Sequence, residues 1–188
     1  MEVASLQAWR DWLRDHQGQP ESIWVVTWKK GRGPHVPYGD IRDEAMCWGW
    51  IDSRPAKLDA DRSMLLVSPR RVGSGWSTVN KARVAVLEAE GRMQPPGRAT
   101  VEAAKRDGSW FALDRAHALT LPDDLTKALA ATPGAAGNFE GFAPSSRRGI
   151  LEWVDAAKRP ATRARRVAQT ARLAALGLRA NFPESRGR

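Results

Sequence analysis

Near the start of the chain apolar residues recur at three- and four-residue spacing: Val3, Leu6, Trp9 and Leu13, with Arg10, Asp11, Arg14 and Asp15 between them. That period predicts an amphipathic helix from Val3 to His16, stopped by the Gly18–Pro20 region. The pattern then changes. SIWVVTWKK, from Ser22 to Lys30, is β-branched and aromatic and runs into GRGP, which predicts a buried strand followed by a loop. DIRDEAMCWGW begins with Asp40, suited to N-capping, and continues through helix formers to Gly49, predicting a short helix that feeds a strand. Trp50–Ser53 and Ser63–Ser68 are β-prone runs on either side of the turn-rich PAKLDAD, and they predict neighbouring antiparallel strands.

Beyond them, PRRVGSGWS is a loop rich in Gly and Arg. Ser77 follows as the N-cap of a helix whose expected apolar face is Val79, Ala82 and Val86, and a second helix opens at Pro95-Pro96-Gly97 and ends at Gly108. After a loop over 110–121 the pattern is wholly helical: PDDLTKALAA, a short piece around Asn138–Phe142, Ser146–Lys158, and Pro160 to about Leu176 with Gly177 as the stop. In the last helix Ala164, Val167, Ala171, Ala174 and Leu178 fall on one side, while Arg165, Arg172 and Arg179 recur every seven residues on another. The expected fold class is α+β: a small, mostly antiparallel sheet covered by helices, with an all-helical C-terminal unit. The expected division is a Trp-rich body over 1–118, a basic helical module over 119–180 and a frayed tail over 181–188.

Composition sharpens this division. The 188 residues carry 30 Lys and Arg against 21 Asp and Glu, a formal charge of +9, and 42% of them are hydrophobic, which excludes a wholly disordered or coiled-coil chain. From Pro144 onward there are eleven Lys and Arg against three acidic residues, so nearly all of the surplus sits there, while eight of the nine Trp lie before it. No run long enough to span a membrane occurs, and the N-terminus has neither a basic start nor an apolar core like that of a signal peptide. A single cysteine, Cys47, agrees with a reducing compartment. Together these features predict a cytoplasmic protein.

For chemistry, the strongest candidate is Arg70-Arg71-Val72-Gly73-Ser74-Gly75-Trp76. A glycine loop entering a helix offers backbone N–H groups to an anion, and two arginines add bidentate donors. With Trp48, Trp50 and Trp76 close in sequence, an anionic or planar ligand has arginine at one end and indole at the other. The plainer alternative is a tight turn with both arginines in water. Asp52 shares a strand face with Trp50, so it must be paired or functional, with Arg70 or Lys29 as partners. Asn80 lies one turn into the following helix. Cys47 reads as a buried hydrophobe, and His16, His35 and His117 are dispersed. No metal-binding spacing, no cofactor motif and no standard catalytic set is present. The C-terminal arginines lack any nucleic-acid-binding signature, which disfavours specific nucleic-acid recognition.

The segments WLRDH, MCWGWIDS, SPRRVGSGWSTVNKARV, GRMQPPG, KRDGSW, LPDDLTKAL and AKRPATRARRV, taken in order, resemble the bacteriocin-protection family called YdeI or OmpD-associated. The resemblance runs over nearly the whole chain. It implies a cytosolic bacterial protein linked to tolerance of bacteriocins and cationic antimicrobial peptides, with a porin association in some members and no settled enzymatic reaction. Trp50, Asp52, Arg70, Trp76 and Asn80 match the family's characteristic positions, whereas Trp48 and Ser53 replace a more usual Phe and Gly.

The resulting expectation is a non-enzymatic protection protein that binds a peptide or small-molecule antimicrobial in a pocket lined by Trp50, Asp52, Arg70, Arg71, Trp76 and Asn80, with a protein partner also allowed. Two alternatives remain: an enzyme with an unfamiliar site using Asp52 or Cys47, and an interaction protein whose basic C-terminal helices bind nucleic acid or another anionic partner.

Overall fold

In the computed structural model, which describes residues 1–182, Ser5 rather than Val3 starts the first helix. Its Oγ accepts the Ala8 N–H at 3.1 Å, and α1 spans Leu6–Asp15. The residues before it are extended. The Val3 N–H donates to the Val26 carbonyl and the Val26 N–H to the Met1 carbonyl, so Glu2 bridges Val26 in a parallel sense along β1, Ile23–Trp28. Only Val25 of β1 is fully buried, so this strand is half-buried rather than enclosed.

Helix α2, Tyr38–Cys47, begins after Pro37, which places Asp40 in the first turn instead of at the cap. Gly49, at φ 81°, then reverses the chain into β2, Trp50–Lys57. β2 pairs antiparallel with β3, Arg62–Pro69, and β3 pairs antiparallel with β1, giving the order β1-β3-β2. The β2–β3 register shifts at Asp52/Arg54, leaving Ser53 as the extra residue of a bulge. Pro55, Ala56 and Lys57 continue the strand, so the turn expected at PAKLDAD begins only at Leu58.

Helix α3, Thr78–Ala89, has the expected Ser77 cap, but it buries Val84 and Leu87 and leaves Val79 and Val86 exposed. The expected apolar face is therefore wrong: a neighbouring stripe of the same helix meets α2. Helix α4, Pro95–Asp107, ends at Gly108 in the left-handed conformation. Its first turn is pressed onto the end of α2. A Cβ on Gly97 would lie 2.1 Å from the Cys47 carbonyl oxygen, so only glycine fits there. Trp9, Leu13, Ile41, Val67, Leu87 and Met93 form the centre of this unit's core, and the Trp9 indole N–H donates to the Ile41 carbonyl at 3.0 Å.

The chain divides into two units, Met1–Ala112 and a second from Leu113 onward. The second has its own core and is helical throughout its described length: α5, Asp114–His117, a single turn within the expected loop; α6, Asp123–Ala131; α7, Ala135–Glu140; α8, Pro144–Asp155; and α9, Pro160–Ala175. Phe139, Ile150, Leu151 and Val154 are fully buried, and α9 contributes Val167, Thr170, Ala171 and Ala174. Ala164 and Leu178, expected on that face, are exposed. Arg163 clamps Asp124 with Nε and Nη2 at 2.6 and 3.0 Å and reaches Asp155 at 3.1 Å. Both units together give the α+β architecture, with a three-stranded antiparallel sheet and an all-helical C-terminal unit. The tail expected to fray from 181 lies, from 183 on, outside the described residues. No helix among the described residues is long and apolar enough to cross a membrane.

Candidate functional site

In the N-terminal unit a cavity of about 220 Å³ opens between the loop that follows β3 and the side of α4. The loop contributes Arg70 through Ser74, and Trp76 also lines the cavity. α4 contributes Ala99, Thr100, Ala103, Ala104 and Asp107, which occupy one helical face, and Ser109 completes the wall. Gly73, at φ 76°, turns the loop, and Ser74 returns its N–H and its hydroxyl to the Arg71 carbonyl.

Arg70 is the centre of this site. Its guanidinium stacks over Trp76 at 3.6 Å from the ring centroid, and Nη2 donates to the Gly75 carbonyl at 2.6 Å. Its Nε is buried with no acceptor among the described residues. Burial alone pushes this guanidinium down to about 10 from 12.5, with no carboxylate offsetting it. Arg83 and Arg147 also bury an unpaired Nε, but Arg70 differs in that no carboxylate offsets the burial of its charge, which is costly unless something pairs with it. Trp76, itself buried, is tilted against Trp110 at 4.9 Å, and Trp110 has Lys105 and Lys81 within 5.8 Å of its ring. The indole pair Trp76–Trp110 is thus flanked by cations, Arg70 on Trp76 and Lys81 and Lys105 on Trp110.

Arg71 is exposed at the rim of the same cavity. Of the residues singled out in the sequence, Arg70, Arg71 and Trp76 therefore converge. Trp50, Asp52 and Asn80 lie elsewhere in the unit. Trp50 is a core residue, edge-on to Trp12 at 5.6 Å. Asp52 accepts a 2.5 Å hydrogen bond from the Tyr38 hydroxyl, whose pKa is pushed up to about 12 by burial and by Asp52. The partners expected for Asp52 are engaged differently: Lys29 donates to the Ala60 and Asp59 carbonyls, and Arg70 to Gly75. The Asn80 N–H donates to the Ser77 hydroxyl as part of the α3 cap. The α4 wall was not anticipated. Its one signal is the spacing of Ala99, Ala103 and Asp107, a stripe of small residues ending in a carboxylate.

Cys47 is fully buried, and burial pushes its thiol up to about 11, a setting that withholds the thiolate. Beside it Asp43 and Glu44 are buried as well. Arg10 clamps Glu44 with Nε and Nη2, both at 2.9 Å, and the Trp48 indole N–H also points to it at 3.4 Å. Arg42 and Arg83 donate to Asp43 and, despite its burial, hold its carboxyl below the usual carboxylate range. These carboxylates are fully engaged by arginine and read as framework. Among the described residues no group of three His, Cys, Asp or Glu side chains is placed to hold a metal ion.

Residues 118–177 match the model of the bacteriocin-protection, YdeI or OmpD-associated family, so the family resemblance holds over most of the helical C-terminal unit. The motifs before residue 101, including MCWGWIDS and SPRRVGSGWSTVNKARV, fall in a different model, which matches residues 1–100. No curated protein and no solved structure matches the chain. By that first model, which spans more than half of its length and includes the Arg70–Trp76 loop, the chain belongs to the family of a domain of unknown function, DUF8412.

Proposed function

We propose that this is a non-enzymatic, cytoplasmic protection protein that captures a small anionic ligand, with an apolar or planar part, in the Arg70–Trp76 cavity. One observation carries the reading: a half-buried guanidinium sits over an indole, 3.6 Å from the ring centroid, with no carboxylate against it among the described residues. An anion entering the cavity would meet this guanidinium and Arg71 in a partly desolvated setting, where charge-assisted hydrogen bonds are strongest. The match of residues 118–177 supports a role in protection against bacteriocins or related antimicrobials.

The cavity volume constrains the ligand. At about 220 Å³ it is below the roughly 300–1,000 Å³ usual for drug-sized molecules. A whole antimicrobial peptide does not fit, although one end of a peptide or a small molecule does. Arg70 and Arg71 also disfavour direct capture of a cationic peptide through this loop. The alternative that uses Cys47 as a nucleophile is disfavoured by its burial and its raised pKa.

Titration of Trp fluorescence with small carboxylates, phosphates and antimicrobials tests the proposal. Saturable changes lost in Arg70→Gln and Trp76→Ala are expected. A full panel that leaves the emission of the wild-type protein unchanged would overturn it.

A further inference from the structure

The cavity has a feature that capture of a simple anion does not require: its walls carry charges of opposite sign. Arg70 and Arg71 enter from the loop, and Asp107 stands at the end of the α4 face. The Asp107 carboxylate accepts the Ser109 N–H at 2.8 Å. Its carboxyl is held below the usual range, chiefly by Ser109, so it is ionised at neutral pH. It does not offset the burial of Arg70, whose lowered pKa has no carboxylate contribution. Arg70 and the exposed Asp107 thus line one small cavity, with no ion pair between them among the described residues. Ala99, Ala103, Ala104 and the Trp76 ring, all apolar, line the same cavity.

A phosphate or a dicarboxylate drawn in by the arginines would bring further negative charge toward Asp107, and like charges brought together in a small cavity repel. A ligand carrying one carboxylate, one ammonium group and a short apolar side chain satisfies all three kinds of wall. The planar guanidinium fork suits a carboxylate, and a carboxylate such as Asp107 suits an ammonium. The alanines leave room for a branched or aromatic side chain. We infer that the cavity binds a free apolar α-amino acid as its zwitterion, with the carboxylate on Arg70 and Arg71, the ammonium on Asp107, and the side chain against Trp76, Ala99 and Ala103. This rests on the reading of the Arg70–Trp76 cavity as a ligand site and names the class of its ligand.

Calorimetric titration of the full chain with L-leucine, L-methionine and L-phenylalanine tests the inference against matched probes that each lack one group. For leucine these are 4-methylpentanoate, without the ammonium; 3-methylbutylamine, without the carboxylate; and N-acetyl-L-leucine, whose nitrogen is uncharged. At least one amino acid is expected to bind at a single site, at least tenfold more tightly than any of its matched probes. Asp107→Asn, which keeps an acceptor for the Ser109 N–H, should abolish the preference for the amino acid over its carboxylate probe. Arg70→Gln should abolish binding of both, and Ala103→Leu, which fills the cavity, should do the same while the urea midpoint shows that each variant is folded. Equal affinity for 4-methylpentanoate, still dependent on Arg70, would overturn the zwitterion and leave the anion site standing. N-acetyl-L-leucine binding as tightly as leucine would overturn it in favour of a peptide C-terminus. Silence of every amino acid overturns the inference, and the anion reading falls with it only when the carboxylates and the wider panel are silent too.

Discussion

The Arg70 guanidinium lies 3.6 Å from the centroid of the Trp76 ring, and its buried Nε has no acceptor among the described residues. Stacking on the indole compensates part of the desolvation of this cation, but an unused buried donor still costs about 1–3 kcal/mol. Arg70→Met keeps an apolar stem on Trp76 and removes the charge. Its unfolding free energy in urea is expected to stay within about 1 kcal/mol of wild type, or to rise, while anion binding is lost. A large loss of stability would instead make Arg70 a structural residue.

Gly97 gives a sharper structural test. Its missing side chain is where the Cys47 carbonyl sits, 2.1 Å from an ideal Cβ. Gly97→Ala must push α4 away from the end of α2, and overpacking of this kind costs about 1–3 kcal/mol, occasionally more. Gly39, with open space around it, provides the control. Gly39→Ala should leave the urea midpoint nearly unchanged.

Glu44 is buried and held by both nitrogens of an Arg10 clamp, whereas Asp11 and Arg14 pair on the surface of α1. Glu44→Gln weakens two charge-assisted hydrogen bonds from Arg10, whose side chain is 42% exposed and stays solvated, and a loss of about 1–3 kcal/mol is expected. The exposed pair contributes about 0–1 kcal/mol at most. Chemical denaturation of Glu44→Gln and Asp11→Asn should therefore differ several-fold in effect.

The buried Cys47 thiol predicts a pH dependence of stability. Its pKa rises from 9.0 to about 11 on folding, so between those values the unfolded chain releases a proton that the folded chain retains. Stability should fall as pH rises through that window. Tyr38, also raised, acts in the same direction at higher pH, while Arg70, lowered to about 10, acts in the opposite direction above its folded pKa. Comparing Cys47→Ala with wild type in urea from pH 8 to 11 isolates the thiol, and the decline between pH 9 and 11 should be shallower in the variant.

Much of the element order is legible in the chain because its signals are local. Ser77 caps α3, Gly49 and Gly108 end α2 and α4 in left-handed conformations, and the β-prone runs at 50–53 and 63–68 pair as antiparallel neighbours. Structure and local pattern differ where the local signal is ambiguous. Val3 fits a helical period, yet its N–H completes a bond to the Val26 carbonyl that only the folded sheet offers. Val79 and Val86 form one apolar stripe on α3, and Val84 and Leu87 another, and the position of α2 selects the second.

The candidate site divides in the same way. The Arg70–Trp76 loop was visible as a motif because glycine, arginine and tryptophan are adjacent in sequence. Asp107 was not, since nothing local distinguishes it from the other acids of an exposed helix end. Likewise DEAMC looks like an ordinary helix segment, but Asp43 and Glu44 are buried because arginines from α1, α2 and α3 converge on them.

By itself the sequence determined the α+β class, the helical C-terminal region, the separation of positive charge from tryptophan and the loop that carries Arg70, all set by caps, periods and composition within a few residues. Tertiary structure alone decided that Trp50 belongs to the core, that Asp52 meets Tyr38, and that Arg70 and Trp76 share a cavity with Asp107. Those relationships depend on close packing between segments tens of residues apart, and no local pattern encodes which face of one element will meet which face of another.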